Sequence, residues 1–163
     1  VGDDIPVPTD DVPAETTQGY TPPSVRQFSV FLENKVGRLL ELVRMFDEDP
    51  LVHLCSISVL ESSDHAVVRL IANNADRATE LFRTAGTAFA TLDLLVVELD
   101  EPDSFSSLCL SLLQAELNIR FAYPLLLAQD GQPTIALAVD DRILAGQILR
   151  RKNFRLLGEA DLE

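Results

Sequence analysis

The stretch AFATLDLLVVEL, residues 88–99, decides how this chain is organised. Its run of apolar and β-branched residues predicts a strand, and its length allows it to serve two neighbouring units in succession. On both sides of it the same order of elements recurs with a period of about 65–69 residues, which is the size of a small domain. We therefore predict a tandem duplication in which this strand ends the first copy and begins the second.

The residues before this strand predict one β-α-β-β-α-β unit. Its elements are a strand at 27–33, a helix at about 37–48, a hairpin whose first strand is 52–61, and a second helix that Gly86 ends. In the strand at 52–61 the alternation predicts one inward face, made by Cys55, Ile57 and Val59. This order is the ferredoxin-like arrangement, with two helices on one face of an antiparallel sheet.

The order repeats after the central strand, so the predicted fold class is α+β with two ferredoxin-like units in tandem. We divide the chain into a flexible acidic, proline-rich arm at 1–25, a first domain at 26–95 and a second domain at 96–163. The short connection between the domains predicts that their sheets join edge to edge, with the four helices on a common face. Joining would also cover exposed sheet edges.

Composition excludes several functional classes. A net charge of −13 argues against nucleic acid as a partner, because the phosphates would be repelled. No apolar run approaches the ~20 residues that a membrane span needs. The two cysteines, Cys55 and Cys109, both lie in apolar surroundings, which is typical of buried thiols in a cytoplasmic protein.

Both halves resemble ACT domains, small β-α-β-β-α-β modules that bind amino acids and regulate metabolism. The first copy has the strand-to-helix junction ENKVGRLLEL, and the second has DEPDSFSSLCL followed by ELNIRFAYPLL. The resemblance covers residues 26–162 and is closest to stand-alone tandem ACT proteins. It implies a regulatory module that binds an amino acid between its domains, with no catalytic activity and no cofactor. The alternative is a structural or protein-interaction module, such as the regulatory subunit of an amino-acid biosynthetic enzyme, that has lost its ligand.

The junction in the first copy is the candidate binding site. A helix N-terminus offers unpaired N–H groups and partial positive charge to a carboxylate, and Asn34 can bond either end of an amino acid. Gly37 either lets a ligand approach the backbone or simply permits a tight turn, and the residues alone do not separate these readings. If the domains pair edge to edge, this loop should face the second strand of the other copy. The predicted ligand-binding residues are Asn34, Val36, Gly37, Arg38, Leu39, Ile119, Phe121 and Tyr123.

The matching junction in the second copy is predicted to be altered or lost. Phe105 and Ser106 stand where the family has a Pro-Gly pair, and their side chains narrow the cradle. The degenerate site comprises Asp103, Ser104, Phe105 and Ser106.

Other candidate chemistry is weak. His53 and His65, near Asp64, would make a metal site only if they faced one another across the hairpin, and we predict no metal site. No nucleophile, base or cofactor motif suggests an enzyme. We expect a homodimer, formed by apolar stretches such as LFRTAGTAFA and AYPLLLA, and a metabolic enzyme or regulator as a further partner.

Overall fold

The structure, a computed structural model, describes residues 20–33, 35–126 and 131–162. Most of the predicted arm therefore lies outside the described residues. The first half contains the strands β1 (Val25–Glu33), β2 (Leu54–Glu61), β3 (His65–Ala72) and β4 (Phe89–Glu98) and the helices α1 (Arg38–Asp47) and α2 (Ala75–Thr84). The second half contains the helices α3 (Ser104–Gln114) and α4 (Arg142–Arg151), the strands β5 (Ile119–Pro124), β6 (Thr134–Val139) and β7 (Leu156–Leu157), and a 3₁₀ turn at Glu159–Asp161.

Strand β4 belongs to both halves, as the duplication predicts. Its first part pairs antiparallel with β1 up to the pair Val25–Leu94, and from Leu95 onward it pairs with β6. Val96 and Val97 also pair with β7. The described strands thus form one seven-stranded sheet in the order β2-β3-β1-β4-β6-β5, with β7 beside β4. Two β-α-β-β-α-β units are joined through a common strand, which confirms the predicted fold class.

All four described helices pack on one face of this sheet. Alternate residues of β4 show this directly, because Phe89 packs against the α1–α2 core and Leu95 and Val97 pack in the α3–α4 core. The intervening residues Leu94 and Val96 point to the other face, into a third cluster that contains residues of both halves. The sheet therefore curls, so that its helix-free inner face packs against itself.

Side chains and backbone groups from both halves meet on this inner face. The Ser56 hydroxyl donates a 2.7 Å hydrogen bond to the Pro124 carbonyl, and the Leu126 N–H donates one of 2.7 Å to the Cys55 carbonyl. The two ends of the sheet order, β2 and β5, are thus brought together by the curl. Burial on both faces explains why nearly half of the chain is apolar.

A β-bulge in each half changes the predicted burial pattern. The register with the neighbouring strand skips Cys55 in β2 and Arg120 in β5, at positions 65 residues apart. The prediction that Cys55, Ile57 and Val59 share one inward face is therefore wrong. Cys55 lies in the inner cluster, Ile57 packs on the helix side, and Val59 is exposed.

The segment before β1 differs from the expected flexible arm in its last residues. Pro22 is buried against Gly146 of α4, and the Tyr20 ring lies 4.1 Å from the Arg150 guanidinium carbon. The Arg142 and Gln147 side chains donate hydrogen bonds of 3.5 Å to the Pro22 and Tyr20 carbonyls. Residues 20–24 thus strap the start of the first half to the last helix of the second.

The apolar stretches that we expected to form a dimer each contribute an aromatic residue to the interior of the chain. Phe82 is fully buried in a group of four phenylalanines, in which its ring centroid lies 5.3 Å from that of Phe28. Tyr123 is buried on the inner face. Separately, no helix in the described ranges is long and apolar enough to cross a membrane.

Candidate functional site

A groove of about 280 Å³ lies on the helix side of the first half, between the start of α1 and the turn end of the β2–β3 hairpin. Its floor and walls combine apolar side chains with charges of both signs. The lining residues are Leu32, Glu33, Lys35, Arg38, Leu39, Val59, Glu61, Ala66 and Val68. The strand alternation explains the floor, because Leu32, Ala66 and Val68 point to the same face of the sheet.

The charged groups of the groove are close enough to neutralise one another. The Lys35 ammonium lies 2.6 Å from a Glu33 carboxylate oxygen, and the Arg38 guanidinium lies 3.0 Å from Glu41 and 3.8 Å from Glu33. The hydrogen bond and charge of Lys35, with Arg38 nearby, lower the pKa of Glu33. All of these side chains are well exposed, so the pairs are weak and can exchange for a charged ligand.

Gly37 precedes α1 as its N-cap and has φ +90°, a left-handed conformation that favours glycine. A Cβ built there would meet no atom within 4 Å. The left-handed conformation explains why a glycine is needed for the tight turn into α1. The open space beside Gly37 also leaves room for a ligand. Because glycine has no side chain, the first turn of α1 has no side-chain cap, although the Arg38 N–H donates a 3.3 Å hydrogen bond to the Lys35 carbonyl.

The structure separates the two groups of predicted ligand-binding residues. Arg38 and Leu39 line the groove, Val36 is fully exposed beside it, and Asn34 lies outside the described residues. Phe121 and Tyr123 instead belong to the inner cluster, and Ile119 packs in the α3–α4 core. Our expectation that the loop faces the second strand of the other copy is wrong within one chain. The groove lies on the helix side of the sheet, whereas Phe121 and Tyr123, which follow the bulge at Arg120, point to the inner face.

Phe121 and Tyr123 serve the packing between the halves. The Arg69 guanidinium carbon lies 4.0 Å above the Phe121 ring, and the rings of Phe121 and Tyr123 stack with centroids 6.2 Å apart. The Tyr123 hydroxyl donates a 2.6 Å hydrogen bond to Gln27 Oε1. Burial raises the pKa of Tyr123, and the charge of Arg69 opposes this only in part.

The junction in the second half is already filled by its own polar groups. The Ser104 hydroxyl accepts from the Glu101 N–H at 2.9 Å and donates to the Asp100 carboxylate at 3.1 Å, while Ser106 donates to the Asp103 carbonyl. Asp103 is the N-cap of α3, and Phe105 is partly exposed. A cavity of about 300 Å³ nearby is lined by three carboxylates, those of Asp100, Glu101 and Asp103, and by the single cation of Lys152. This excess of negative charge disfavours a further carboxylate.

The two histidines lie at opposite ends of the β2–β3 hairpin. The His53 N–H donates to Asn73 at 2.8 Å, just after β3 ends, whereas His65 begins β3 and pairs with Glu33. Our conditional expectation that they face one another is wrong, because antiparallel pairing places Glu61 opposite Ala66. Among the described residues, no group of three or more His, Cys, Asp or Glu side chains is placed to hold a metal ion.

Sequence reasoning missed the part of the groove made by the hairpin. Glu61, Ala66 and Val68 come from β2 and β3, whose pairing places them beside the loop after β1. The signal available was the antiparallel neighbourhood of β1 and β3 in a ferredoxin-like sheet, combined with the position of Glu61 at the end of its strand. Lys35 was also overlooked, although it is the cation nearest to Gly37 in sequence on its N-terminal side.

Comparison with known proteins supports the architecture. A family model described as an ACT domain pair matches residues 23–163. A crystal structure of protein BT0572 from Bacteroides thetaiotaomicron is similar, with a TM-score of 0.77 and 22% identity over 86% of this chain and 96% of that one. The ligand-free regulatory subunit of aspartate kinase from Thermus thermophilus has a TM-score of 0.54 and 8% identity, covering 80% of this chain and 93% of that one. These identities establish a common fold only. A search of curated proteins found no significant match.

Proposed function

Because the chain belongs to the family of ACT domain pairs, we propose that it is a regulatory module that binds a free amino acid in the groove at the start of α1. The observation that carries this proposal is the mixture of groups around one apolar floor. Lys35 and Arg38 supply positive charge, and Glu33 and Glu61 supply negative charge. An amino acid zwitterion with an apolar side chain is complementary to the two cations, to the two carboxylates and to the apolar floor.

Each charged end of the ligand can be matched to groups of opposite charge in the groove. The carboxylate would lie near Lys35 and Arg38, where the first turn of α1, which no side chain caps, adds its partial positive charge. The ammonium would lie near the Glu33 carboxylate, whose pKa Lys35 holds below its usual value. Leu32, Ala66 and Val68 would contact the side chain of the ligand. The small volume of the groove favours an amino acid over a peptide.

Binding would also change the protein, which is what a regulatory role requires. A carboxylate that recruits Lys35 and Arg38 competes with their present pairs to Glu33 and Glu41. The loop between β1 and α1 would then adopt a second arrangement, and a partner that distinguishes the two arrangements would sense the ligand. We propose a metabolic enzyme as that partner, since the Thermus thermophilus neighbour is the regulatory subunit of one. We also propose that the protein is cytoplasmic and that this chain does not itself catalyse a reaction.

We propose that the second half does not bind the same ligand. At the start of α3, Ser104 and Ser106 already bond to neighbouring groups. The cavity there has three carboxylates against the one cation of Lys152, which disfavours a ligand carboxylate. This difference makes the second half an internal control for the first.

Titration calorimetry against the twenty amino acids tests the proposal, with Ala66→Leu as the diagnostic variant. The added isobutyl group would fill the groove floor without changing charge, and we expect affinity to fall tenfold or more, about 1.4 kcal/mol. Ala90→Leu is the matched control, because Ala90 is an exposed strand alanine whose side chain points to the opposite face of the sheet. Equal losses of affinity in the two variants would contradict the groove as the binding site. If no amino acid binds, the alternative of a protein-interaction module is favoured.

A further inference from the structure

Arg69 is the one arginine on a described strand that has no carboxylate partner. The other two strand arginines, Arg26 and Arg120, lie 3.5 Å from Asp76 and 3.4 Å from Asp140. The Arg69 side chain is half-buried on the inner face of the sheet, and no carboxylate of the described residues pairs with its guanidinium. In a chain with a net charge of −13, a half-buried cation without a counterion leaves a binding group for an anion.

The duplicated fold shows that packing does not require a polar group at this position. Arg69 on β3 lies between Ser58 of β2 and Ser29 of β1, in one row across the sheet. The equivalent row of the second half, which is buried throughout, consists of Tyr123, Ala136 and Val96. The same place in the fold is therefore filled by packed side chains in one half and by a cation between two hydroxyls in the other.

The second half holds the Arg69 guanidinium in a fixed place. Its carbon lies 4.0 Å from the centroid of the Phe121 ring, which stacks in turn on Tyr123. A ring below the guanidinium plane leaves the N–H donors at its edge available. The Ser29 hydroxyl accepts a 3.2 Å hydrogen bond from Gln27 Nε2, so its own hydrogen can go to a further acceptor.

An exposed apolar row borders Arg69 on the same face, toward the turn of the β2–β3 hairpin. Phe31 pairs with Val67, and Val67 pairs with Leu60. This apolar row lies two residues along the strands from Arg69, a distance of about 7 Å. Phe31 is 55% exposed and Leu60 57%, so the second half does not cover them. The α1 groove lies on the other face of the sheet, where Val68 points.

We propose that this part of the inner face binds an organic carboxylate with an apolar chain. The carboxylate lies on the Arg69 guanidinium, which offers parallel N–H donors to two oxygens, and Ser29 and Ser58 supply flanking hydroxyls. The chain of the ligand lies along the apolar row. The curl brings β5 against β2, so Phe121 borders the site and makes it concave, as a small molecule requires. This site is separate from the α1 groove and does not depend on amino acid binding there.

An NMR titration of the isotope-labelled full chain with octanoate tests the site. Acetate, which lacks the chain, and octanol, which lacks the charge, are the matched probes. We expect saturable amide shifts at Ser58–Leu60 and Val67–Arg69 and none at Lys35–Leu40, with octanoate binding at least about tenfold more tightly than either probe. Octanoate shifts confined to Lys35–Leu40, or equal affinity for octanoate and one of the probes, would overturn the proposal.

Two variants separate the head and the chain of the ligand. Arg69→Gln should weaken octanoate binding at least about tenfold, whereas Arg83→Gln, which removes the same charge from an exposed position on α2, should leave it unchanged. Phe31→Ser should weaken the binding of octanoate but not of acetate, and its exposure makes a loss of folding no obstacle. Equal affinities in Arg69→Gln and Arg83→Gln would contradict the site. A face that binds a protein partner but no octanoate would be an interaction surface, and the proposal would be wrong.

Discussion

The Tyr123 hydroxyl and the Gln27 side-chain amide form a buried 2.6 Å hydrogen bond between residues 96 positions apart in the chain. Gln27 belongs to β1 of the first half and Tyr123 to β5 of the second, so this bond joins the two halves across the inner face of the curled sheet. Gln27 Nε2 also donates to Ser29 at 3.2 Å, which orients the amide.

Replacing Tyr123 with Phe should destabilise the protein by about 1–3 kcal/mol, because Gln27 Oε1 would be left buried without its donor. Urea unfolding measures the loss. The double variant Tyr123→Phe/Gln27→Leu removes both polar groups. Its loss in free energy of unfolding should therefore be smaller than the sum of the losses in the two single variants. Strict additivity would show that the two side chains do not interact.

Gly146 tests the strap formed by residues 20–24. Alanine in a helix interior is ordinarily more stable than glycine by about 1 kcal/mol, but a Cβ at Gly146 would clash with the Pro22 ring. We expect Gly146→Ala to lower stability, measured by urea unfolding. In a Pro22→Gly background the same change should be neutral or stabilising. A stabilising Gly146→Ala in the unmodified chain would mean that the strap does not pack there.

Gly37 tests whether backbone conformation alone constrains the junction. A residue with a Cβ in the left-handed region costs roughly 1–2 kcal/mol, and asparagine tolerates that region better than alanine. We therefore expect Gly37→Ala to be less stable than Gly37→Asn, measured by thermal unfolding. Since a Cβ at Gly37 would meet no atom, a large loss in both variants would require another explanation.

Asp49 should make stability depend on acid pH. The Arg77 guanidinium donates hydrogen bonds to its carboxylate, one of them 2.8 Å long, and the Leu51 N–H donates another of 2.9 Å. Arg77 first, and then the Leu51 N–H, hold the pKa of Asp49 below its usual value. Because the pKa of Asp49 is lower in the folded state, its ionised carboxylate stabilises the protein at any pH above the unfolded-state pKa of about 3.9. This stabilisation disappears as the pH falls through the folded-state pKa.

The variant Asp49→Asn should therefore differ most from the unmodified chain at neutral pH. Urea midpoints measured from about pH 7 down to about pH 3 should converge as the pH falls. A difference that stays constant over this range would show that the charge of Asp49 does not contribute.

The order of elements could be predicted because local signals agree with the final structure. Asn74 and Asp141 each accept a hydrogen bond from the first turn of the helix that follows, and polar-apolar alternation marks the strands. The shared strand β4 could be predicted from its length. These features depend on neighbours in sequence, which a single chain displays.

The curl of the sheet and the set of residues that line the groove could not be predicted in the same way. Alternation indicates that a side chain is buried but not what covers it, so Tyr123 and Ile119 gave no sign that they pack on opposite sides of the sheet. The bulges at Cys55 and Arg120 shift the alternation by one residue, and they leave no distinctive residue type as a marker. Glu61 and Ala66 reach the groove only through tertiary pairing.

An NMR titration of backbone amides with the amino acid that binds best in calorimetry tests the proposed site directly. We expect saturable shifts at Lys35–Leu40 and at the hairpin ends near Glu61 and Ala66, with little change at Asp103–Ser107. Shifts that cluster at the start of α3, or that leave Lys35–Leu40 unmoved while binding saturates, would contradict the proposed site.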